Sequence, residues 1–332
     1  YPVYGGNGLR GYTETANFEG DCAIIGRQGA YCGNVRYFSG TAYMTEHAVV
    51  TCANENNNTR YLSYLLSTMN LGRLSGQSAQ PGLSVKTLGK QVVKVPPLTI
   101  QNKIVSILAA LDTKIEDNEK INKNLEQQAQ TIYQQMFIDN PYSDWIEGSL
   151  SDIADITMGQ SPSGSSYNED GIGTIFFQGR AEFGFRFPTI RLYTTEPKRM
   201  ACANDTLMSA RAPVGDINVA HTDCCIGRGL AAIHSKTNHQ SFVLYTMYSL
   251  KKQLDVFNGE GTVFGSINRN SLNDMPILIP SDEAINEFER IVAPMDAAIR
   301  NNYDEVCHLQ AVRDSLLPRL MSGELDVSDI DL

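Results

Sequence analysis

No stretch of the sequence approaches the roughly 18 uncharged apolar residues that a membrane helix needs. Tyr1 to Gly11 has no apolar run of the signal-peptide kind. The seven cysteines never fall at CxxC spacing; Cys224 and Cys225 are adjacent and the rest are scattered. That pattern excludes a zinc ribbon and fits reduced, buried thiols in a cytoplasmic protein. There is no HExxH, no P-loop ending in GK[ST] and no GxSxG elbow. His47, His221, His234, His239 and His308 stand apart, without ligand spacing. We therefore expect no catalytic residue, no metal ligand and no cofactor site in this chain.

Basic residues are also in short supply. Lys and Arg number 27 against 37 Asp and Glu, a formal charge of −10. A surplus of acid opposes phosphate binding. The surplus is not evenly spread, however. Residues 1–100 carry 8 basic and 5 acidic side chains, and residues 151–280 carry 11 and 12. Residues 101–150 carry 4 and 8, and residues 281–332 carry 4 and 12. The acid is concentrated in two segments, where a solvated face is its ordinary explanation. The near-neutral remainder is able to bind nucleic acid if its basic residues share a face, weakly unless a partner helps.

What the sequence has in abundance is itself. Shifted by 184 residues, it matches without gaps: Asp21 falls on Asp205, Arg27 on Arg211, Val35 on Val219, Tyr61 on Tyr245 and Tyr64 on Tyr248. Leu88, Pro96, Asp112, Ile115 and Leu125 likewise fall on Leu272, Pro280, Asp296, Ile299 and Leu309. So long a period excludes a solenoid and means two copies of one module. Each copy begins with short β-branched runs between Gly turns, such as Cys22–Ile25 and Ala48–Val50. A short helical pattern follows at Tyr61–Leu66 and Tyr245–Leu250, then a Gly-rich loop. A strand ending in proline comes next, Val92–Pro97 and Pro276–Pro280, and a long helix ends the copy. The first copy has no counterpart of residues 149–184, so the chain is expected to begin inside a domain.

The long helices have a coiled-coil pattern. Positions 104, 108, 111, 115, 118, 122, 125, 129, 132 and 136 alternate steps of four and three, as do 288, 292, 295, 299, 302, 306, 309, 313, 316 and 320. That is a seam of about five heptads in each copy. Asn118 and Asn302 occupy the same point of the two seams, and a buried Asn there sets register. Pro294 is expected to kink the second helix.

Gly6-Asn7-Gly8-Leu9-Arg10-Gly11 fits GxGxxG, but residues 12–20 make no convincing helix, so a tight turn is the better reading. Asp139-Asn140-Pro141-Tyr142 sits where a helix must stop before proline. The loops hold the residue types that read bases: Arg is able to bond guanine and Gln adenine, each through two hydrogen bonds. The candidates are Arg27, Gln28, Tyr31, Arg36, Gln77, Ser78 and Gln80 in the first copy. In the second they are Arg180, Arg191, Arg211, Arg228, Asn258, Thr262 and Arg269. Arg186, Lys198, Arg199, Lys251 and Lys252 are further candidates for phosphates or bases. Arg27 and Arg211 match between copies and so could serve a shared scaffold instead.

Two divergent modules, each followed by a similar long helix, resemble the specificity subunits of Type I restriction–modification systems. Pro96-Pro97-Leu98 with Gln101, Ile104, Leu108, Asp112 and Ile115 looks like that family's strand-to-helix signature. The second copy keeps Pro280, Ile291, Asp296 and Ile299 but has Ile285 where the first has Gln101. Leu316 to Glu324 looks like the family's C-terminal ending, and Tyr1 to Gly8 resembles a segment inside its recognition domains. The resemblance implies an α+β fold of two target-recognition domains separated by two long antiparallel coiled-coil helices. It implies recognition domains at 1–97 and 143–280, helices at 98–140 and 281–322, and an acidic tail at 323–332. It implies a gapped two-part site on double-stranded DNA, with two methyltransferase subunits bringing S-adenosylmethionine to methylate adenine. Restriction subunits, with ATP and Mg, can join them. Roughly 40 helical residues at ~1.5 Å each would make a spacer on the order of 60 Å. The rival readings are a two-domain enzyme binding a nucleotide at residues 6–11 and a coiled-coil scaffold that binds proteins only.

Overall fold

A computed structural model describes residues 1–75, 82–259 and 265–330. These form two compact units, residues 1–119 with 304–332 and residues 120–303, so each long helix contributes residues to both. The fold is α+β, as the sequence leads one to expect.

In the first unit, a hairpin of strands Pro2–Gly5 and Gly8–Tyr12 lies parallel to Val35–Met44 through its first strand. Val35–Met44 pairs antiparallel with Phe18–Gly26, which pairs in turn with Ala48–Thr51, closing a five-stranded sheet. Cys22 to Ile25 are all buried because both faces of this strand are covered. Cys22 and Ile24 pack with Ala42 and Met44, whereas Ala23 and Ile25 pack with Leu66, Leu71 and Leu83. Helix Thr59–Thr68 starts where the Asn58 side chain accepts the amides of Arg60 and Tyr61. Its Tyr61, Tyr64 and Leu65 meet Ile104 and Leu108 of the first long helix, with Leu320 and Val327 from the chain's end. Lys103 Nζ donates to the Ser328 carbonyl at 2.6 Å, so the acidic tail is docked in this unit as far as it is described.

The second unit has a four-stranded sheet, ordered Ile217–Val219, Thr206–Ser209, Leu230–Ser235 and Ala154–Met158. A five-stranded sheet runs Met200–Ala201, Cys224–Ile226, Thr174–Phe177, Leu192–Thr194 and Tyr167–Asn168. Strands Ile146–Ser149 and Pro276–Ile279 make a separate antiparallel pair. Helix Gln240–Ser249 is buried against Phe288 and Val292 of the second long helix, together with Tyr133 and Phe137 from the first long helix and the turn that ends it.

The long helices are Leu98–Tyr133, extended by a π-helical turn at Gln134–Asp139, and Asp282–Ser322. Every seam position named above is buried or half-buried. The helices run antiparallel within each unit. In the first, Lys114 reaches Glu305 and Asp112 reaches Arg313; in the second, Asn122 bonds Asn302. The second helix continues through Pro294, whose side chain is exposed.

Three expectations need correction. Val92–Val95 is not a strand: its counterpart Pro276–Ile279 has Ile146–Ser149 to pair with, whereas Val92 is 93% exposed. The uniform offset also breaks down. The two long helices begin 184 residues apart, as do the Ser84 and Asn268 caps of two short helices. Helices Thr59–Thr68 and Gln240–Ser249 are 181 apart. Tyr64 therefore corresponds structurally to Tyr245, not Tyr248. Finally, all seven cysteines are free, and Cys22, Cys224 and Cys225 are buried, but Cys52, Cys202 and Cys307 are exposed.

Candidate nucleic-acid interface

Each module is fastened to the helix pair by an equivalent carboxylate. Asp112 accepts from Tyr64 Oη and lies 3.7 Å from Arg60, with Arg313 Nη1 at 3.2 Å. Asp296 accepts from Tyr245 Oη at 2.9 Å and from Arg186. Arg186 also donates to Glu126 Oε1 at 3.0 Å, which accepts from Tyr248 Oη at 3.1 Å. Burial works against the Arg186 charge, but Asp296, the two tyrosines and Glu126 outweigh it, and the guanidinium holds its proton more firmly than usual. Arg186 is only 3% exposed, so it is a strut and not a phosphate contact. Lys251 is likewise engaged, by Asp216 and Asp255.

With the modules held this way, the loops at the strand ends are presented to solvent. In the first unit Arg27, Gln28, Tyr31 and Arg36 are all exposed. The Arg27 backbone bonds His47 and Leu83, while its side chain donates to the Glu46 carbonyl at 3.4 Å. Gln28 bridges Gly82, and Arg211 bridges Ser266 in the other module, so each loop is strapped at or next to its matched arginine. The Arg36 guanidinium lies against Gly8, where φ is +97° and a Cβ would meet Arg36 Nη1 at 3.3 Å. The GxGxxG stretch is this hairpin, with no helix after it, so its geometry is not that of a dinucleotide fingerprint.

In the second unit Arg180 is paired with Asp216, and Arg191 with Glu182 at 2.7 Å. Asn258 is structural: its Oδ1 accepts the Val214 amide and its Nδ2 donates to Asp255. Arg211, Arg228 and Arg269 are exposed, Arg269 at the first turn of a short helix. Gln77, Ser78, Gln80 and Thr262 lie outside the described residues. Asn118 and Asn302 sit in the seam with separate partners. Asn118 is 1% exposed and donates to Glu305 at 2.7 Å; Asn302 donates to Asn122 at 2.8 Å. Gln160 and Gln178, which no motif marks, stand exposed beside Arg228. No sequence pattern singled them out, because their neighbourhood is created by the sheets.

Among the described residues no group of three His, Cys, Asp or Glu side chains is arranged to hold a metal ion, and no helix is long and apolar enough to cross a membrane.

Comparison with known proteins agrees with this geometry. The family model described as "Type I restriction modification DNA specificity domain" matches residues 1–127 and 142–304. The MjaX type I restriction enzyme specificity subunit of Methanocaldococcus jannaschii is 29% identical over 290 residues, covering 80% of this chain and 68% of the relative. The EcoprrI specificity subunit of Escherichia coli is 43% identical over 113 residues, 34% of this chain and 28% of that protein. The crystal structure of a Type I restriction–modification S subunit from M. genitalium shares the fold, with a TM-score of 0.64 at 16% identity over 96% of this chain and 88% of the other.

Proposed function

The chain belongs to the family of Type I restriction–modification DNA specificity domains, and on that premise we propose how it works: as a non-catalytic recognition subunit, each module reading one part of a gapped DNA target. The observation that carries this reading is the duplication. Two copies of one module keep the same carboxylate–tyrosine clamp, Asp112 with Tyr64 and Asp296 with Tyr245, yet differ in their exposed loops. Two readers of different sequences must agree where they are mounted and differ where they touch bases.

The chemistry then belongs to partners. Two modification subunits, each bringing S-adenosylmethionine, methylate adenine in the two parts of the site. Where restriction subunits join, they add cleavage using ATP and Mg. The formal charge of −10 supports this division, since partners able to contact phosphates would supply the attraction this chain lacks. Arg27, Gln28, Tyr31, Arg36, Arg211, Arg228 and Arg269 are the exposed residues assigned to DNA. The rival readings, a nucleotide-binding enzyme and a protein-binding scaffold, have no equivalent support.

The test is a single-molecule methylome from cells expressing the full-length subunit with its modification subunit. A gapped motif with methyladenine in each part is expected. A stable purified complex that adds no methylation would point to a protein-binding scaffold.

A further inference from the structure

Four strands of the second unit end at one place. Ala154–Met158 and Thr206–Ser209 lie in one sheet, and Thr174–Phe177 and Cys224–Ile226 in the other. The residues that follow them are tied together. The Gln160 amide donates to the Ile226 carbonyl at 3.0 Å, Gly227 to Phe177 at 2.8 Å, and Ala210 to Gly229 at 2.8 Å. The Arg228 amide reaches Ser161 Oγ at 3.3 Å.

Glycine makes this approach possible. A Cβ on Gly159 would lie 2.1 Å from the Gly227 carbonyl oxygen. One on Gly227 would lie 2.8 Å from the Gln178 oxygen, and one on Gly229 2.9 Å from the same atom. None of the three has a positive φ, so they are required for space and not for backbone conformation.

The packing presents four side chains: Gln160, Gln178, Arg211 and Arg228, all exposed. None of them has a side-chain hydrogen bond or ion pair among the described residues, whereas nearby Arg180 and Arg191 are occupied by carboxylates. Their flanking residues are Gly159 and Ser161, Phe177 and Gly179, Ala210 and Ala212, Gly227 and Gly229. Apart from the buried Phe177 these are small, and none is acidic. Each long polar side chain thus rises from a low, uncharged, rigid surface. An amide is able to bond adenine N6 and N7, and a guanidinium guanine O6 and N7, each in bidentate fashion. A guanidinium held by a carboxylate is less free to turn its fork to a base edge.

We propose that Gln160, Gln178, Arg211 and Arg228 are the base-reading set of the second module, taking purine edges in the major groove of duplex DNA. This rests on the DNA-recognition reading above and adds two residues to it. The experiment uses the full chain bound to its modification subunits and selection from randomised duplex DNA. Wild type is compared with Gln160→Ala, Gln178→Ala and Arg228→Lys, and with Gln253→Ala as an exposed control elsewhere in the unit.

All variants should unfold at the wild-type temperature. Each of the three test variants should lose discrimination at one base of one part of the site by about 5- to 140-fold, the worth of a bidentate pair. The other part should be unchanged, and Gln253→Ala should match wild type. The inference is overturned if both glutamine variants keep the wild-type preference, or if they weaken binding to every sequence equally. If wild type itself selects no sequence, the DNA-recognition reading fails and takes this inference with it.

Discussion

Arg186 and Arg180 are six residues apart in the chain and both carry an ion pair, yet burial separates their roles. Arg186 is enclosed with Asp296 and Glu126, so removing it leaves two carboxylates without compensation. Arg186→Met should cost about 3–5 kcal/mol, the usual penalty for breaking a buried pair, measured by urea unfolding. The Arg180 side chain is 55% exposed, and Arg180→Ala should change stability by no more than about 1 kcal/mol. Similar values for the two would contradict the strut assigned to Arg186. Sequence alone ranked both as DNA contacts, since an arginine in a Gly-rich loop looks the same whether its fork points in or out.

Among the elements, the helix pair depends on polar groups in an otherwise apolar seam. Asn122 is 5% exposed, donates to the Ile299 carbonyl at 3.2 Å and accepts from Asn302. Asn122→Leu should cost roughly 1–3 kcal/mol, because it strands two partners. Asn122→Leu with Asn302→Leu should cost less than the single variants combined, and a double-mutant cycle reads that coupling directly. In the first unit, hydrogen bonding from Asn118, then from Lys114, holds the Glu305 carboxyl below its ordinary value of 4.5. A lowered folded pKa means that this stabilisation is present above the free value and fades as pH falls below it. The unfolding temperature should therefore fall below pH 4.5, by more in wild type than in Glu305→Gln. Equal acid sensitivity would remove Glu305 from the account. The seam was legible in the sequence because heptad spacing is local: neighbours on one helix face are three or four residues apart. The partner of each Asn was not, since pairing depends on how two distant segments align.

For the whole molecule, charge is the controlling quantity. A chain at −10 should bind duplex DNA weakly alone and far more tightly with the modification subunits proposed as its partners. In that complex, Arg211→Ala separates two roles. A phosphate contact would lower the salt slope by about one and weaken all sequences alike. A base contact should leave the slope intact and weaken preference at one base of one part of the target, the expected result here, read from binding isotherms at several salt concentrations. The duplication itself was visible from the 184-residue match. The three-residue slip that puts Tyr64 and Tyr245 in the same role was hidden by it, because Tyr61 and Tyr64 happen to meet Tyr245 and Tyr248 when no gap is allowed.

The sequence by itself determined the repeat, the family, the two helices and their seam, because each is written in spacing along one chain. It also lacks the HExxH, GK[ST] and GxSxG motifs. Only the tertiary structure decided which arginines are spent on carboxylates, which residues the two sheets bring to one edge, and that Gln160 and Gln178 stand beside Arg228. Those facts depend on contacts between strands from residue 154 to residue 226. No local pattern encodes such contacts; they exist only once burial of both sheet faces has fixed the strand order.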